Sequence, residues 1–214
     1  MDTDGIVWFT KIEANRIGRL DSVSGEIREF AIPTPGSRPY SLAFDRRGLL
    51  WFTQESGNRI SLLDPSGGSF EEFRLPTSAA GLDGLELDSE GNLWFGERGA
   101  GKLGRLNPNR REIEEFDLPG SGVKLWQIVL DLDGRIWFTR SGAHGLGVFD
   151  PDFGTTSLYE VPSAVSGAQA LAVDFSDRIW IAFDSFRDCL SNGVCVGDLD
   201  HSRSFFLYGQ WIEP

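Results

Sequence analysis

The chain has 214 residues, of which 40% are hydrophobic and 12% aromatic, enough for a large core. Its 32 acidic residues outnumber its 20 basic ones, and the net charge of −12 argues against nucleic-acid binding, which needs a basic surface. No apolar run approaches the ~18 residues of a membrane-spanning helix, so we expect no membrane insertion. The first residues lack the pattern of a signal peptide. The compartment stays open: cytoplasmic, or periplasmic or secreted if a signal was removed.

One tryptophan recurs at a constant interval of 43 residues, at Trp8, Trp51, Trp94, Trp137 and Trp180. Phenylalanine follows it in four of the five repeats, and threonine then follows in three. A fixed period of ~40–50 residues with short aromatic strands is typical of a β-propeller. The sequence therefore predicts an all-β propeller of five four-stranded repeats, with the tryptophans in its core.

The second repeat is complete and serves as the template. Its predicted strands are 39–45, 49–54, 59–64 and 69–75, separated by turns that carry glycine or proline. The same frame gives blades at 1–33, 39–76, 82–119, 125–162 and 168–214, which we interpret as one domain over 1–214. The turns at 88–91 and 131–134 resemble calcium loops, but they lack the further oxygen ligands that Ca²⁺ needs. We interpret them as hairpin turns.

The two ends depart from the frame. The first repeat starts at its second strand, so the first blade lacks its innermost strand. In the last repeat we predict strands at 168–174, 178–182, 194–199 and 204–208, with a longer irregular region that carries Cys189 and Cys195. These cysteines form a local disulfide or remain free thiols. The chain either closes as a five-bladed ring or is part of a larger ring, and we favour the second interpretation.

Propeller topology places the starts of first strands and the ends of second strands together on one rim of the central channel. The residues at these positions are Lys11, Arg38, Tyr40, Gln54, Glu55, Asp83, Glu97, Arg98, Lys124, Trp126, Arg140 and Gln169. A polar mouth with aromatic walls suits a small polar molecule or a peptide. In the alternative interpretation the charges only pair with one another, while Tyr40 and Trp126 plug the channel. We expect a monomer.

The repeated phrases Gly-x-Leu-Trp-Phe, Ile-Gly-Arg-Leu-Asp-Pro and Glu-Phe-x-Leu-Pro resemble those of the virginiamycin B lyase (streptogramin lyase) family. The resemblance is strong over residues 5–162 and weaker in the fifth repeat. It implies a seven-bladed ring, which favours a partial propeller here. It also implies a Mg²⁺-dependent carbon–oxygen lyase that opens cyclic depsipeptide antibiotics by elimination, with Mg²⁺ as the one cofactor to consider.

The family pattern implies a histidine base near the start of one first strand and a glutamate just beyond Trp-Phe that helps to hold the metal. The histidine position is occupied here by Tyr40, Asp83, Trp126 and Gln169. The chain's two histidines, His144 and His201, lie elsewhere in the frame, so we assign no catalytic residue. Glu55 and Asp184 lie four residues after their tryptophans and match the metal-ligand position, and Glu97 is a further acid one place earlier. Of these we take Glu55 and Glu97 as the candidate metal ligands.

Three functions follow from these patterns. The first is a non-catalytic or uncharacterised binding propeller that uses the channel mouth. The second is the family's lyase activity, and the third is a sensor or scaffold segment of a longer extracytoplasmic protein.

Overall fold

The computed structural model describes residues 6–120, 125–140, 145–160, 165–186 and 207–208, and each regular element in these ranges is a β-strand. The strands are β1 (Ile6–Lys11), β2 (Arg16–Asp21), β3 (Ile27–Ala31), β4 (Pro39–Phe44), β5 (Leu50–Gln54), β6 (Arg59–Leu63), β7 (Phe70–Arg74), β8 (Leu82–Leu87), β9 (Leu93–Glu97), β10 (Lys102–Asn107), β11 (Glu112–Asp117), β12 (Ile128–Leu130), β13 (Ile136–Arg140), β14 (Gly145–Asp150), β15 (Thr155–Glu160), β16 (Val165–Val173), β17 (Ile179–Phe186) and β18 (Leu207–Tyr208). This part of the chain contains no helix that could cross a membrane.

The strands form five sheets, each built from one repeat. Three sheets have four strands, in the orders β4-β5-β6-β7, β11-β10-β9-β8 and β12-β13-β14-β15. The first sheet, β1-β2-β3, begins with the strand of Trp8, so the prediction that this blade lacks its innermost strand is confirmed for the described residues. Short antiparallel sheets repeated in this way are the blades of a propeller.

The last sheet differs from its prediction. β18 pairs with β17, with Tyr208 opposite Ile181, and is therefore third in the sheet β16-β17-β18. The sequence placed 204–208 fourth, which is wrong for the two residues described. Counting by the 43-residue period fails here because 20 residues separate β17 from β18, whereas four separate β5 from β6. The predicted strand 194–199 and both cysteines lie outside the described residues.

The chain divides into two compact units, residues 1–116 and 117–214. In unit 1 the sheets pack through apolar clusters, one of which joins Trp51 and Phe73 of the second sheet to Leu85 and Phe95 of the third. In unit 2, Trp137 packs with other apolar side chains of the fourth and fifth sheets. The organisation as a single domain stays a prediction.

Each repeat tryptophan from Trp51 onward also has a polar partner. The indole Nε1 donates to an Asp six residues earlier in Asp45–Trp51 (3.2 Å), Asp88–Trp94 (3.1 Å), Asp131–Trp137 (2.8 Å) and Asp174–Trp180 (2.8 Å). The other oxygen of the same Asp accepts backbone N–H groups of the turn, as at Leu49 and Asn92. The turn aspartates therefore organise hairpins, which confirms that interpretation of these turns.

The repeated glycine of the third strand faces the repeated phenylalanine. Phe9 lies opposite Gly18, Phe95 opposite Gly104 and Phe138 opposite Gly147. A Cβ on Gly104 would lie 2.0 Å from a ring carbon of Phe95, so each glycine leaves room for a ring that covers it. This packing explains why Trp-Phe and Ile-Gly-Arg-Leu recur together.

Candidate functional site

The rim of unit 1 is the end at which β4 and β8 begin and β5 and β9 end. Pro39 pairs with Gln54, and Leu82 pairs with Glu97, so the residues that follow β5 and β9 emerge beside the starts of the first strands. Both first strands carry a bulge here, between Pro39 and Leu42 and between Asp83 and Leu85. Bulges of this kind re-aim side chains and are frequent next to functional sites.

The backbone N–H inside each of these two bulges has a side-chain acceptor. In the second sheet, Ser41 N donates to Thr53 Oγ1 at 3.0 Å. The fourth sheet has the same contact at the residue before its first strand, where Gln127 N donates to Thr139 Oγ1 at 3.2 Å. The third sheet has Gly96 at the threonine position, and here Gly84 N donates to Asp83 Oδ1 at 3.0 Å. The threonine of Trp-Phe-Thr thus fixes the rim backbone, and Asp83 replaces it in the third repeat.

Four of the predicted rim residues form one ion-pair chain. Glu55 accepts from Arg38 Nε at 3.2 Å through Oε2 and from Arg98 Nη2 at 2.6 Å through Oε1. Arg98 Nη1 lies 3.8 Å from Asp83 Oδ2. At the other end of the ion-pair chain, Arg38 Nη1 donates to Glu13 Oε1 at 2.6 Å. Because Arg98 follows β9 and Glu55 follows β5, the ion-pair chain links the second and third blades.

Arg38 has a backbone conformation that is unusual for its type. Its φ is 53°, in the left-handed region, and Gly81, one repeat later, has a φ of 63°. A residue other than glycine pays about 1–2 kcal/mol for this conformation. An arginine at a position that the next repeat gives to glycine indicates that the side chain itself is needed at the rim.

Asp83 is the most deeply buried carboxylate of the ion-pair chain, with its side chain 4% exposed. Burial raises the pKa of Asp83 to about 6, against the opposing effects of the Gly84 N–H and the Arg98 charge, while the Glu55 charge raises it further. The pKa of Tyr40 is also raised, mainly by the Asp83 charge. Tyr40 itself is 43% exposed.

Two other predicted rim residues are buried. Gln54 is fully covered, and its Nε2 donates to Ser61 Oγ and to Glu72 Oε1, both at 2.7 Å. Glu97 is fully covered as well. Lys11 pairs with Glu29 on the outer strand of the first sheet. These three side chains lie beneath or beside the rim, whereas Arg38, Tyr40, Glu55, Asp83 and Arg98 form its surface cluster.

The predicted residues of unit 2 are described in part. Trp126 is half-buried, and its backbone N–H reaches Thr139 Oγ1 at 3.3 Å. The Nε of Arg140 is buried and has no hydrogen-bond partner among the described residues. Gln169 lies at the bulge between Ala168 and Ala170, but its side chain lies outside the described part, as do Lys124 and the two histidines.

The prediction that Glu55 and Glu97 hold Mg²⁺ can be compared with their surroundings. Both oxygens of Glu55 already accept from guanidinium groups, and a metal would have to displace them. Within the described ranges no three His, Cys, Asp or Glu side chains are grouped closely enough to hold a metal ion. Mg²⁺ needs several oxygen ligands with open geometry. The residues described here do not fit that ion, and the metal site stays a prediction.

Sequence reasoning missed Glu13 and the rim threonines. The threonines had a signal, because they recur directly after Trp-Phe. Glu13 had none, since its partner Arg38 lies 25 residues away and on another sheet. At the opposite end of unit 1 the structure also shows a cleft of about 490 Å³, which is lined in part by Arg46, Ser89, Glu90 and Asn109 and which the sequence did not predict.

The repeated antiparallel sheets described above are those of a β-propeller. Comparison with known proteins identifies the family to which this propeller belongs. The model of the virginiamycin B lyase family matches residues 1–187. The chain therefore belongs to the virginiamycin B lyase family, as the repeated phrases predicted. No curated protein sequence gives a significant match.

Solved structures agree with this family. The virginiamycin B lyase of Staphylococcus aureus is 27% identical, with a TM-score of 0.78 over 85% of this chain and 60% of that chain. A streptogramin B lyase structure is 31% identical, with a TM-score of 0.78 over 84% of this chain and 59% of that one. A catalytically inactive form of the S. aureus lyase with quinupristin is 29% identical, with a TM-score of 0.77 over 84% and 60%. The chain thus spans about 60% of the length of these lyases.

Proposed function

We propose that the chain is a binding propeller of the lyase family, and that the rim of unit 1 takes a small polar molecule or a peptide segment. The observation that carries the proposal is the surface cluster itself. A chain of ion pairs includes the buried carboxylate of Asp83, Tyr40 is exposed at the start of the neighbouring first strand, and Arg38 keeps a costly backbone conformation to take part. Ion pairs that only tied two blades together would need neither feature.

The electrostatics of this cluster favour selective recognition. Glu55 is shared by two guanidinium groups, so the positions of Arg38 and Arg98 are fixed before a ligand arrives. Preorganised polar groups next to an aromatic side chain lose little freedom on binding. A ligand that does not match them leaves some of their hydrogen bonds unmade and binds more weakly.

The test is a screen of the purified chain against a defined set of polar metabolite-like compounds and short peptides, read by thermal shift and by ¹⁵N–¹H correlation spectra. We expect perturbed resonances at Tyr40 and Glu55, and loss of the thermal shift in the double variant Tyr40→Ala, Glu55→Gln. Glu90→Gln, at the opposite end of unit 1, removes the same charge as a control. Shifts that survive the double variant, or no response to any compound, would refute rim binding.

In unit 2 the corresponding double variant is Trp126→Ala with Arg140→Met. Loss of the same thermal shifts in this variant would show that Trp126 or Arg140 also takes part in binding. If only the first pair of changes has an effect, the binding surface is confined to unit 1.

Family membership favours a second candidate, a Mg²⁺-dependent lyase acting on a cyclic depsipeptide. The direct test is incubation with quinupristin and Mg²⁺, with chromatographic detection of the opened, isomeric product. Turnover by the purified chain would establish the lyase, whereas an intact ring after prolonged incubation at high protein concentration would eliminate it. Since the chain spans about 60% of the lyases' length, the interpretation as a sensor or scaffold segment of a longer protein also stays a proposal.

A further inference from the structure

Asp83 has one oxygen engaged and one open. Its Oδ1 accepts the N–H of Gly84 at 3.0 Å. Among the described residues the cation paired with its Oδ2 is Arg98, whose Nη1 lies 3.8 Å away, beyond hydrogen-bond distance. With the side chain 4% exposed, Oδ2 belongs to a buried carboxylate that receives no hydrogen bond at this atom from the described residues.

Arg98 is held away from a direct bond with this oxygen. Its Nη2 donates to Glu55 Oε1 at 2.6 Å, which anchors the guanidinium on the side of the second blade. Glu55 in turn holds Arg38. The two arginines of the ion-pair chain face three carboxylates, those of Glu13, Glu55 and Asp83. Among these five described residues the carboxylates outnumber the guanidinium groups by one, and Asp83, the most buried of the three carboxylates, has the longest ion-pair distance.

A buried carboxylate without full pairing is costly, and folded proteins rarely keep one without a use. The missing partner must supply an N–H or O–H donor to Oδ2, and a positive charge would balance the excess negative charge. Tyr40 is the second residue of β4 and Asp83 the second residue of β8, and these two strands contact each other. Tyr40 is partly exposed, and the Asp83 charge raises its pKa, so it can form an aromatic wall beside an incoming cation.

We propose that Asp83 Oδ2 is the receptor for a primary ammonium group, carried by a small amine or by a lysine side chain of a peptide, with Tyr40 beside it. This inference rests on the proposed rim binding and names the ligand chemistry. A primary ammonium fits because it donates hydrogen bonds and is compact, whereas a quaternary ammonium carries the charge without a donor. The net charge of −12 draws cations to the protein in general, and Asp83 supplies the specific contact.

The experiment is a titration of the ¹³C-labelled chain, read at the Asp83 carboxyl and the Tyr40 ring, at pH 7.5. The probes are n-butylammonium, tetramethylammonium and the blocked tripeptide Gly-Lys-Gly. We expect n-butylammonium and the tripeptide to bind, and tetramethylammonium to bind at least tenfold more weakly. Asp83→Asn should weaken the two primary ammonium probes at least tenfold, while Glu90→Gln leaves them unchanged. If n-butylammonium binds more tightly than the tripeptide, the ligand is a small amine; if the tripeptide binds more tightly, it is a lysine side chain of a peptide.

The pH dependence gives a further readout. Among the described residues, the charged and titratable groups that interact electrostatically with Asp83 are Arg98, Glu55 and Tyr40, and Arg98 also forms an ion pair with it. Because only the carboxylate form accepts the ammonium, affinity should fall as the pH drops through about 6. An affinity that is flat between pH 7.5 and pH 5 would overturn the assignment.

The outcomes separate the two proposals. If the compound screen perturbs the rim but tetramethylammonium binds as well as n-butylammonium, or Asp83→Asn binds as the native chain does, the ammonium assignment fails and rim binding stands. If neither the screen nor these amines perturb Tyr40 or Asp83, both proposals fail.

Discussion

Replacing Asp83 by asparagine should stabilise the protein at neutral pH and leave its stability unchanged in acid. The folded state raises the pKa of this carboxyl from 3.8 to about 6, chiefly by burial. A carboxyl with a raised pKa binds its proton more tightly when folded, so the folded state loses stability as the pH rises from about 4 to about 6. The gap between the two pKa values corresponds to about 3 kcal/mol. Asparagine keeps the Oδ1 that accepts Gly84 N–H and has no charge to bury.

The assay is urea unfolding of the native chain and of Asp83→Asn at pH 4 and pH 7.5. We expect the free energy of unfolding of the variant, relative to that of the native chain, to rise by up to about 3 kcal/mol from pH 4 to pH 7.5. Glu86, whose pKa burial raises to about 7, titrates in both proteins and cancels in the difference. The matched control is Asp45→Asn. Burial alone would raise the pKa of Asp45, but hydrogen bonds from Arg47, Leu49 and Trp51 outweigh it and lower the pKa. Its effect should therefore be constant above pH 4. An equal difference at both pH values for Asp83→Asn would refute the reasoning.

Three further changes test the packing of the repeat by urea unfolding. Gly104→Ala should cost about 1–3 kcal/mol, because its Cβ would overlap the facing phenylalanine ring, whereas Gly67→Ala, with only ordinary contacts, should be nearly neutral; equal effects would contradict the ring-over-glycine account. Asp131→Ala leaves the Trp137 indole and the turn amides without an acceptor, and it should lower the free energy of unfolding by about 2–4 kcal/mol. A decrease below 1 kcal/mol would mean that the turn needs no such acceptor. Glycine at position 58 can keep the left-handed backbone of Asn58, so Asn58→Gly removes only the side-chain hydrogen bonds to Thr77 and Ala80. We expect the free energy of unfolding to fall by about 1–2 kcal/mol. An unchanged value would mean that these hydrogen bonds make no net contribution to stability.

Much of the fold was predictable because each blade is specified locally. Alternating apolar residues and turn glycines predicted strands at 39–45 and 59–64, and the structure has Pro39–Phe44 and Arg59–Leu63. The prediction was wrong for β18, which follows β17 after 20 residues and so does not fit the period on which the count depended. Local pattern fixes the strands of a hairpin, but it gives no register across a region of unusual length.

The candidate site was predictable in its location and not in its interactions. Topology alone placed Arg38, Glu55 and Arg98 at one end of the sheets. Their pairing depends on the relative placement of neighbouring blades, which no single repeat encodes, and so the exposed Glu13 was missed as a partner of Arg38. The same limit applies to Glu97, which the sequence places at the rim but which packing buries completely.

The third repeat shows how a structural position becomes available for binding. Where the second and fourth repeats have a threonine that accepts a backbone N–H of the first strand, the third repeat has Gly96, and Asp83 Oδ1 accepts the Gly84 N–H instead. This backbone task brings a carboxylate to the rim and occupies only one of its oxygens. Asparagine at position 83 would perform the same task without the cost of a buried charge. Because the chain has aspartate, the charge at Oδ2 is the feature that the backbone does not explain, and it is there that a function should be sought.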